Sequence, residues 1–119
     1  MEPTADVRAE LRAALVVRRR EAEMRLASLG RHFRDIVDAS AGSNADDEHD
    51  PEGATIAFER SQVDALARLA QRDFDDADAA VGRIDAGEYG RCEVCGQPIP
   101  VERLRARPTA RTCVGCAGR

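Results

Sequence analysis

Apolar residues recur early in the chain at Leu11, Leu15, Ala22, Leu26, Leu29, Phe33 and Ile36, in steps of 4, 7, 4, 3, 4 and 3. That is the rhythm of a helix with one buried stripe. From Asp6 to about Ala39 there is no proline and one glycine, Gly30. A lone glycine weakens a helix without ending it. Arg18 stands where the step of 7 skips a position, and its aliphatic stem is expected to lie along the seam. A second stripe runs through Ile56, Val63, Leu66, Ala70, Phe74, Ala77, Val81 and Ile84, again stepped by 3, 4 or 7. It predicts a helix from near Ala54 to about Ala86, with Gly87 as its C-terminal stop. Between the two, "SAGSNADDEHDPEG" (Ser40–Gly53) is dense in Gly, Ser, Asn, Asp and Pro and reads as a loop.

Two helices of more than thirty residues are each about 50 Å long at ~1.5 Å per residue. Each has one apolar stripe, and the short connection makes them antiparallel neighbours that bury those stripes against each other. The expected fold is therefore all-α: an antiparallel two-helix coiled-coil hairpin over residues 1–87, with its tip loop at 40–53. A small C-terminal module, 88–119, follows. A seam of this width is a thin core, and charged residues make up 34% of the 119 while aromatics make up 3%. A chain of this kind gains from an added staple.

Charge and composition narrow the function classes. No apolar stretch is long enough to span a bilayer. The opening "MEPTADVRAELRAA" carries acids and lacks the apolar centre of a signal peptide, so a cytoplasmic protein with no membrane partner is expected. All 18 basic residues are arginine, and the net charge is -4. That balance argues against direct DNA binding held mainly by phosphate contacts.

The four cysteines sit at Cys92, Cys95, Cys113 and Cys116, as two C-x-x-C pairs with 17 residues between them. Each pair lets two thiolates of one turn reach the same ion, and the two turns complete a tetrahedron. With four protein ligands the site is closed, hence structural, and one zinc ion is the expected cofactor. Iron remains open, since the same ligands serve both metals. Disulfides fit poorly without an export signal, and a redox dithiol fits poorly without a sheet fold. Gly96 and Gly115 are expected to relieve crowding at the two turns, and "VERL" reads as a short helical turn between them.

These residues also carry a resemblance. "GEYGRCEVCGQPIPVERLRARPTARTCVGC" resembles the zinc module of the DksA/TraR family of RNA polymerase-binding regulators, through the Tyr-Gly before the first cysteine, Cys-Gly-x-x-Ile, Arg-Leu-x-Ala-x-Pro and the final C-x-x-C. The preceding hairpin is similar to that family in architecture. The resemblance implies a transcription regulator, not an enzyme. In this family a coiled coil enters the secondary channel of RNA polymerase and brings acidic tip residues near the catalytic magnesium.

The loop supplies such acids in Asp46, Asp47, Glu48, Asp50 and Glu52. Carboxylates on a loop can approach a magnesium ion or channel arginines, although acidic loops are commonly just solvated. The family's tip pattern resembles D-x-x-D-x-A. Starting it at Asp50 puts Gly53 at the second Asp; starting it at Asp47 puts Glu52 at the Ala. Neither register is complete. The chain stops three residues after Cys116, whereas longer family members continue as a basic helix that helps hold ppGpp, so no ppGpp response is expected. The module's Arg91, Arg103, Arg105, Arg107 and Arg111 could meet an acidic polymerase surface, or nucleic acid if the module is instead a zinc-ribbon nucleic-acid binder. A metal-dependent enzyme using the acidic loop is a third reading, and no nucleophile–base pair supports it.

Overall fold

The computed structural model of the chain describes residues 2–41 and 51–118. In chain order the elements are α1 (Ala5–Ala41), α2 (Pro51–Asp85), α3 (Val101–Ala106) and a 3-10 turn at Val114–Cys116. The two long helices contain 37 and 35 residues. The fold is all-α, with no strand among the described residues, and no described helix is long and apolar enough to cross a membrane.

Local chemistry sets the helix ends. The Val7 N–H donates to Thr4 Oγ1 at 3.2 Å, which makes Thr4 the N-cap of α1 and satisfies one of the orphan donors of a first turn. α2 opens on Pro51, where a missing N–H costs nothing. It closes on a Schellman turn: the Glu88 N–H donates to the Arg83 carbonyl at 2.8 Å and the Gly87 N–H to the Ile84 carbonyl at 3.1 Å. Gly87 sits at φ 75°, a left-handed conformation that glycine adopts without a Cβ clash. Residues 40, 41 and 51–53, expected in the loop, are helical instead.

The chain forms two compact units, residues 1–20 with 73–119 and residues 21–72. In the first, Arg12 Nε and Nη2 donate to the Asp85 carboxylate at 2.8 and 3.1 Å, and Arg19 Nη1 donates to Asp78 at 2.8 Å. Seven residues forward on α1 matches seven back on α2, so the helices are antiparallel here. Leu11, Leu15, Ala77, Ala80 and Val81 form one core cluster with Tyr89, Cys92, Ile99, Leu104 and Cys116. In the second unit Ala22, Ile36, Val63 and Ala70 are buried. The Arg60 guanidinium lies 5.5 Å over the Phe33 ring, a cation–π contact. A cavity of about 190 Å³ is lined there by Leu26, Leu29, Phe33, Val63 and Ala67 among others.

Two seam positions differ from the sequence reading. Leu66 is 46% exposed, and half-buried Ala67 takes its place. The buried set of α2 alternates steps of 4 and 3 through 63, 67, 70, 74, 77, 81 and 84. Consecutive steps of 3, 4 and 4 drift off that face, and the larger hydrophobic residue drew the reading one position short. On α1, Arg18 is exposed and Arg19 is half-buried. The Arg19 stem lies at the seam because its head is tied to Asp78.

Leu15 is fully buried whereas Leu66 is half open. Leu15→Ala is expected to lower unfolding stability by ~2–4 kcal/mol, and Leu66→Ala by less than ~1 kcal/mol. Urea unfolding followed by helical circular dichroism measures both, and equal losses would contradict the seam described here.

Candidate metal centre

The site is built by two knuckles that follow α2. After the Schellman turn, Tyr89 and Gly90 enter the core and Arg91 forms an isolated antiparallel bridge with Pro98. The Ile99 N–H donates to the Gly90 carbonyl at 2.7 Å and the Cys92 N–H to the Gln97 carbonyl at 2.9 Å. Inside this tight loop the Gly96 N–H donates to the Cys92 carbonyl at 2.9 Å, which wraps Cys92-x-x-Cys95 into one turn. The second knuckle is simpler. The N–H groups of Cys116 and Ala117 donate to the Cys113 carbonyl at 3.1 and 3.0 Å. The Glu93 N–H reaches across to the Arg111 carbonyl at 2.9 Å and joins the two knuckles. Between them, α3 buries Leu104.

The Sγ atoms of Cys92, Cys95, Cys113 and Cys116 all lie within 4.8 Å of one another. Cys95 Sγ and Cys113 Sγ are 3.8 Å apart, and tetrahedral ligands at Zn–S distances of ~2.3 Å stand ~3.8 Å from each other. The residues therefore fit one structural zinc ion, with four sulfurs filling four positions and none left for water. When bound, the ion supplies a cross-link between the knuckles and no reactive position.

Electrostatics prepare the sulfurs. Taken as thiols, the Cys92 group is held down to about 6, chiefly by hydrogen bonds from the backbone of Cys95 and then of Cys113. The Cys116 thiol is pushed up to about 12, chiefly by its hydrogen bond with Cys113 and then by burial. A thiolate is thus favoured at Cys92, and the Cys116 thiol keeps its proton until a cation offsets the accumulating charge. Metal uptake releases protons and weakens as pH falls.

The supporting contacts were not legible beforehand. Tyr89 OH donates to the Pro108 carbonyl at 2.7 Å, and burial pushes its phenol up to about 12. Gly90, at φ 95°, faces Pro3, whose Cδ would stand 3.1 Å from a Cβ there. Gly96 and Gly115, by contrast, both have open space around them, so the crowding expected at the two knuckles is absent; Gly96 has a φ of 74° and Gly115 an ordinary one. The N-terminal segment embraces the module: Glu2 pairs with Arg91, Glu10 pairs with Arg105 at 3.3 Å, and Pro3 is buried. Thr4, a capping residue type just ahead of an apolar-periodic run, was the one available signal for this segment.

Of the five module arginines, Arg91 and Arg105 make those pairs, Arg111 pairs with Glu93 at 3.2 Å, and Arg103 Nε donates to the Thr112 carbonyl at 2.8 Å. Arg103, Arg107 and Arg111 share a shallow cavity of about 310 Å³ with Asp76. Arg83 lies half-buried at the end of α2, its guanidinium made easier to deprotonate first by burial and then by Arg111. Its buried Nη2 has no hydrogen-bond partner among the described residues. Asp46, Asp47, Glu48 and Asp50 lie outside the described residues, as does the side chain of Glu52.

Residues 87–119 match the family model of the prokaryotic DksA/TraR C4-type zinc finger. An uncharacterized protein of Bacillus subtilis, YteA, is 41% identical over 69 residues, which cover 58% of this chain and 29% of that one. The RNA polymerase-binding transcription factor DksA of Haemophilus influenzae is 41% identical over 39 residues, covering 33% of this chain and 27% of that one. The chain matches less than half the length of these relatives. Among solved structures, transcription factor DksA2 from Pseudomonas aeruginosa superposes with a TM-score of 0.77 at 25% identity, covering 93% of this chain and 80% of that one.

Two outcomes test the centre. Cys113→Ser is expected to lose bound zinc, read by mass spectrometry of the native protein; full retention would contradict the ligand set. Tyr89→Phe strands the Pro108 carbonyl and is expected to lower stability by ~1 kcal/mol, while zinc content stays unchanged.

Proposed function

The C-terminal module belongs to the prokaryotic DksA/TraR C4-type zinc-finger family, and on that premise we propose that the chain is a non-catalytic transcription regulator that binds RNA polymerase. The observation that carries this reading is the likeness to DksA2, which extends over 93% of the chain and therefore includes the helices as well as the module. A protein of this kind acts in the cytoplasm, where the polymerase is.

In this reading the helix pair enters the secondary channel, and the connection between α1 and α2 is the effector. Asp46, Asp47, Glu48, Asp50 and Glu52 bring carboxylates toward the catalytic magnesium, its waters or the basic groups lining the channel. Such groups need no pocket of their own. Cys92, Cys95, Cys113 and Cys116 hold the zinc that staples the base of the hairpin. Arg91, Arg103, Arg105, Arg107 and Arg111 make a second contact with the polymerase. The intramolecular pairs of Arg91, Arg105 and Arg111 are exposed, and exposed pairs hold each side chain by only ~0–1 kcal/mol. A stronger acidic partner can displace them.

The test is binding of the labelled chain to core RNA polymerase, with and without an excess of a known secondary-channel factor. Binding that the competitor removes is the expected result. Binding that persists would move the contact elsewhere, and no binding would sink the proposal. A second measurement concerns the tip. Asp47→Asn with Asp50→Asn is expected to reduce the effect on transcription at least tenfold while polymerase affinity changes less than about threefold, a split that tracks interactions made in the working complex. An unchanged transcriptional effect would reduce the tip to a solvated loop.

A further inference from the structure

The two residues ahead of the first metal ligand are held from outside the module. A Cβ on Gly90 would stand 3.1 Å from Pro3 Cδ and 3.7 Å from Leu104 Cδ1, so the buried Pro3 ring packs against the chain there. Arg91, the next residue, pairs with Glu2. The other side of this N-terminal segment is fastened to α1. Arg8 Nη1 donates to the Pro3 carbonyl at 2.9 Å, and the Val7 N–H donates to Thr4 Oγ1 at 3.2 Å. Residues 2–4 thus join the first turn of α1 to the chain immediately before Cys92. Zinc ligation by itself asks for no such contact.

The four sulfurs also differ in access. Cys95 is exposed and Cys113 half-buried, whereas Cys92 and Cys116 are buried. A competing ligand meets Cys95 first, and exchange is completed when the buried sulfurs let go, because the shell around a site controls access to it. For Cys92, letting go means moving a segment that the Ile99 N–H holds by the Gly90 carbonyl at 2.7 Å and that Pro3 covers. We propose that residues 2–4 form a strap that sets how fast the first knuckle releases zinc. With the strap seated, Cys92 stays shielded while Cys95 is approached. With it lifted, both sulfurs of the knuckle come away together. Pro3 and Glu2 are positioning residues that act through Gly90 and Arg91. Their shares differ: the Glu2–Arg91 pair is exposed and salt screens it, whereas salt leaves the packing of Pro3 in place. The strap serves the four-sulfur site and does not depend on the polymerase reading.

Transfer of zinc from the loaded full chain to an excess of the chromophoric chelator pyridylazoresorcinol measures the release rate. Pro3→Ala is expected to raise that rate by about tenfold, the scale on which groups supporting a metal ligand act. Glu2→Gln should raise it by less than about threefold, and at low salt only. Hydrogen exchange of the zinc-loaded Pro3→Ala chain should show the Cys92 and Ile99 amides less protected, with helical circular dichroism unchanged. Val63→Ala removes buried apolar surface from the 21–72 unit and is the control. It lowers stability but should leave the release rate as it was. Release from Pro3→Ala at the rate of the unsubstituted chain overturns the proposal. Equal acceleration by Val63→Ala also overturns it, because release would then follow general loosening of the fold.

Discussion

Two of the four clustered sulfurs are also core residues. Cys92 and Cys116 are buried in the same apolar cluster as Leu11 and Leu15 of α1 and Ala77, Ala80 and Val81 of α2. A zinc ion held at those sulfurs is therefore continuous with the packing of the helix bases, instead of hanging from them. Small chains with thin seams lack apolar area to bury, and structural zinc in such modules contributes on the order of 10 kcal/mol of folding free energy. Here that free energy is delivered where the α1 start and the α2 end meet the knuckles. The Schellman turn at Gly87 fixes the exit of the chain from α2, and Pro3 against Gly90 fixes the approach of the N-terminal segment. Both serve to bring the two knuckles to one point.

A consequence is a division of labour along the sequence. The chemistry of binding metal resides in 25 residues, Cys92 to Cys116, all of it short-range turns. The two long helices are joined by the Arg12–Asp85 and Arg19–Asp78 pairs. They present charged faces and a connection rich in carboxylates.

Most of the architecture was legible in the sequence because each part obeys one simple periodicity or spacing. The two helices, their antiparallel pairing and the cysteine cluster follow from 3-and-4 steps, a short connection and paired C-x-x-C turns. Two misses on the seam share one physical cause. Leu66 and Arg18 were placed on the seam by residue type and step size, but the seam is decided by which positions face the partner helix. Alanine fills it as readily as leucine where the helices pack closely, as Ala67, Ala70 and Ala77 do. The embrace of the module by Glu2, Pro3 and Glu10 was invisible because contacts between residues some 90 positions apart leave no local pattern. Gly115 shows the reverse error, a local motif credited with a constraint that three-dimensional space does not impose.

Every cation in the ion pairs described here is a guanidinium, since the chain contains no lysine. Guanidinium groups stay protonated far above neutrality, and the bond to Asp85 raises that of Arg12 further. The carboxylate of the same pair is held below its usual range by its hydrogen bond to Arg12. A carboxylate depressed in the folded state contributes above its unfolded pKa and loses its contribution as pH falls through the folded one. The Arg12–Asp85 bond between α1 and α2 therefore titrates from one side only. Alkali leaves it intact, while acid removes it on the same side of neutrality where protons compete with metal for the cysteine sulfurs.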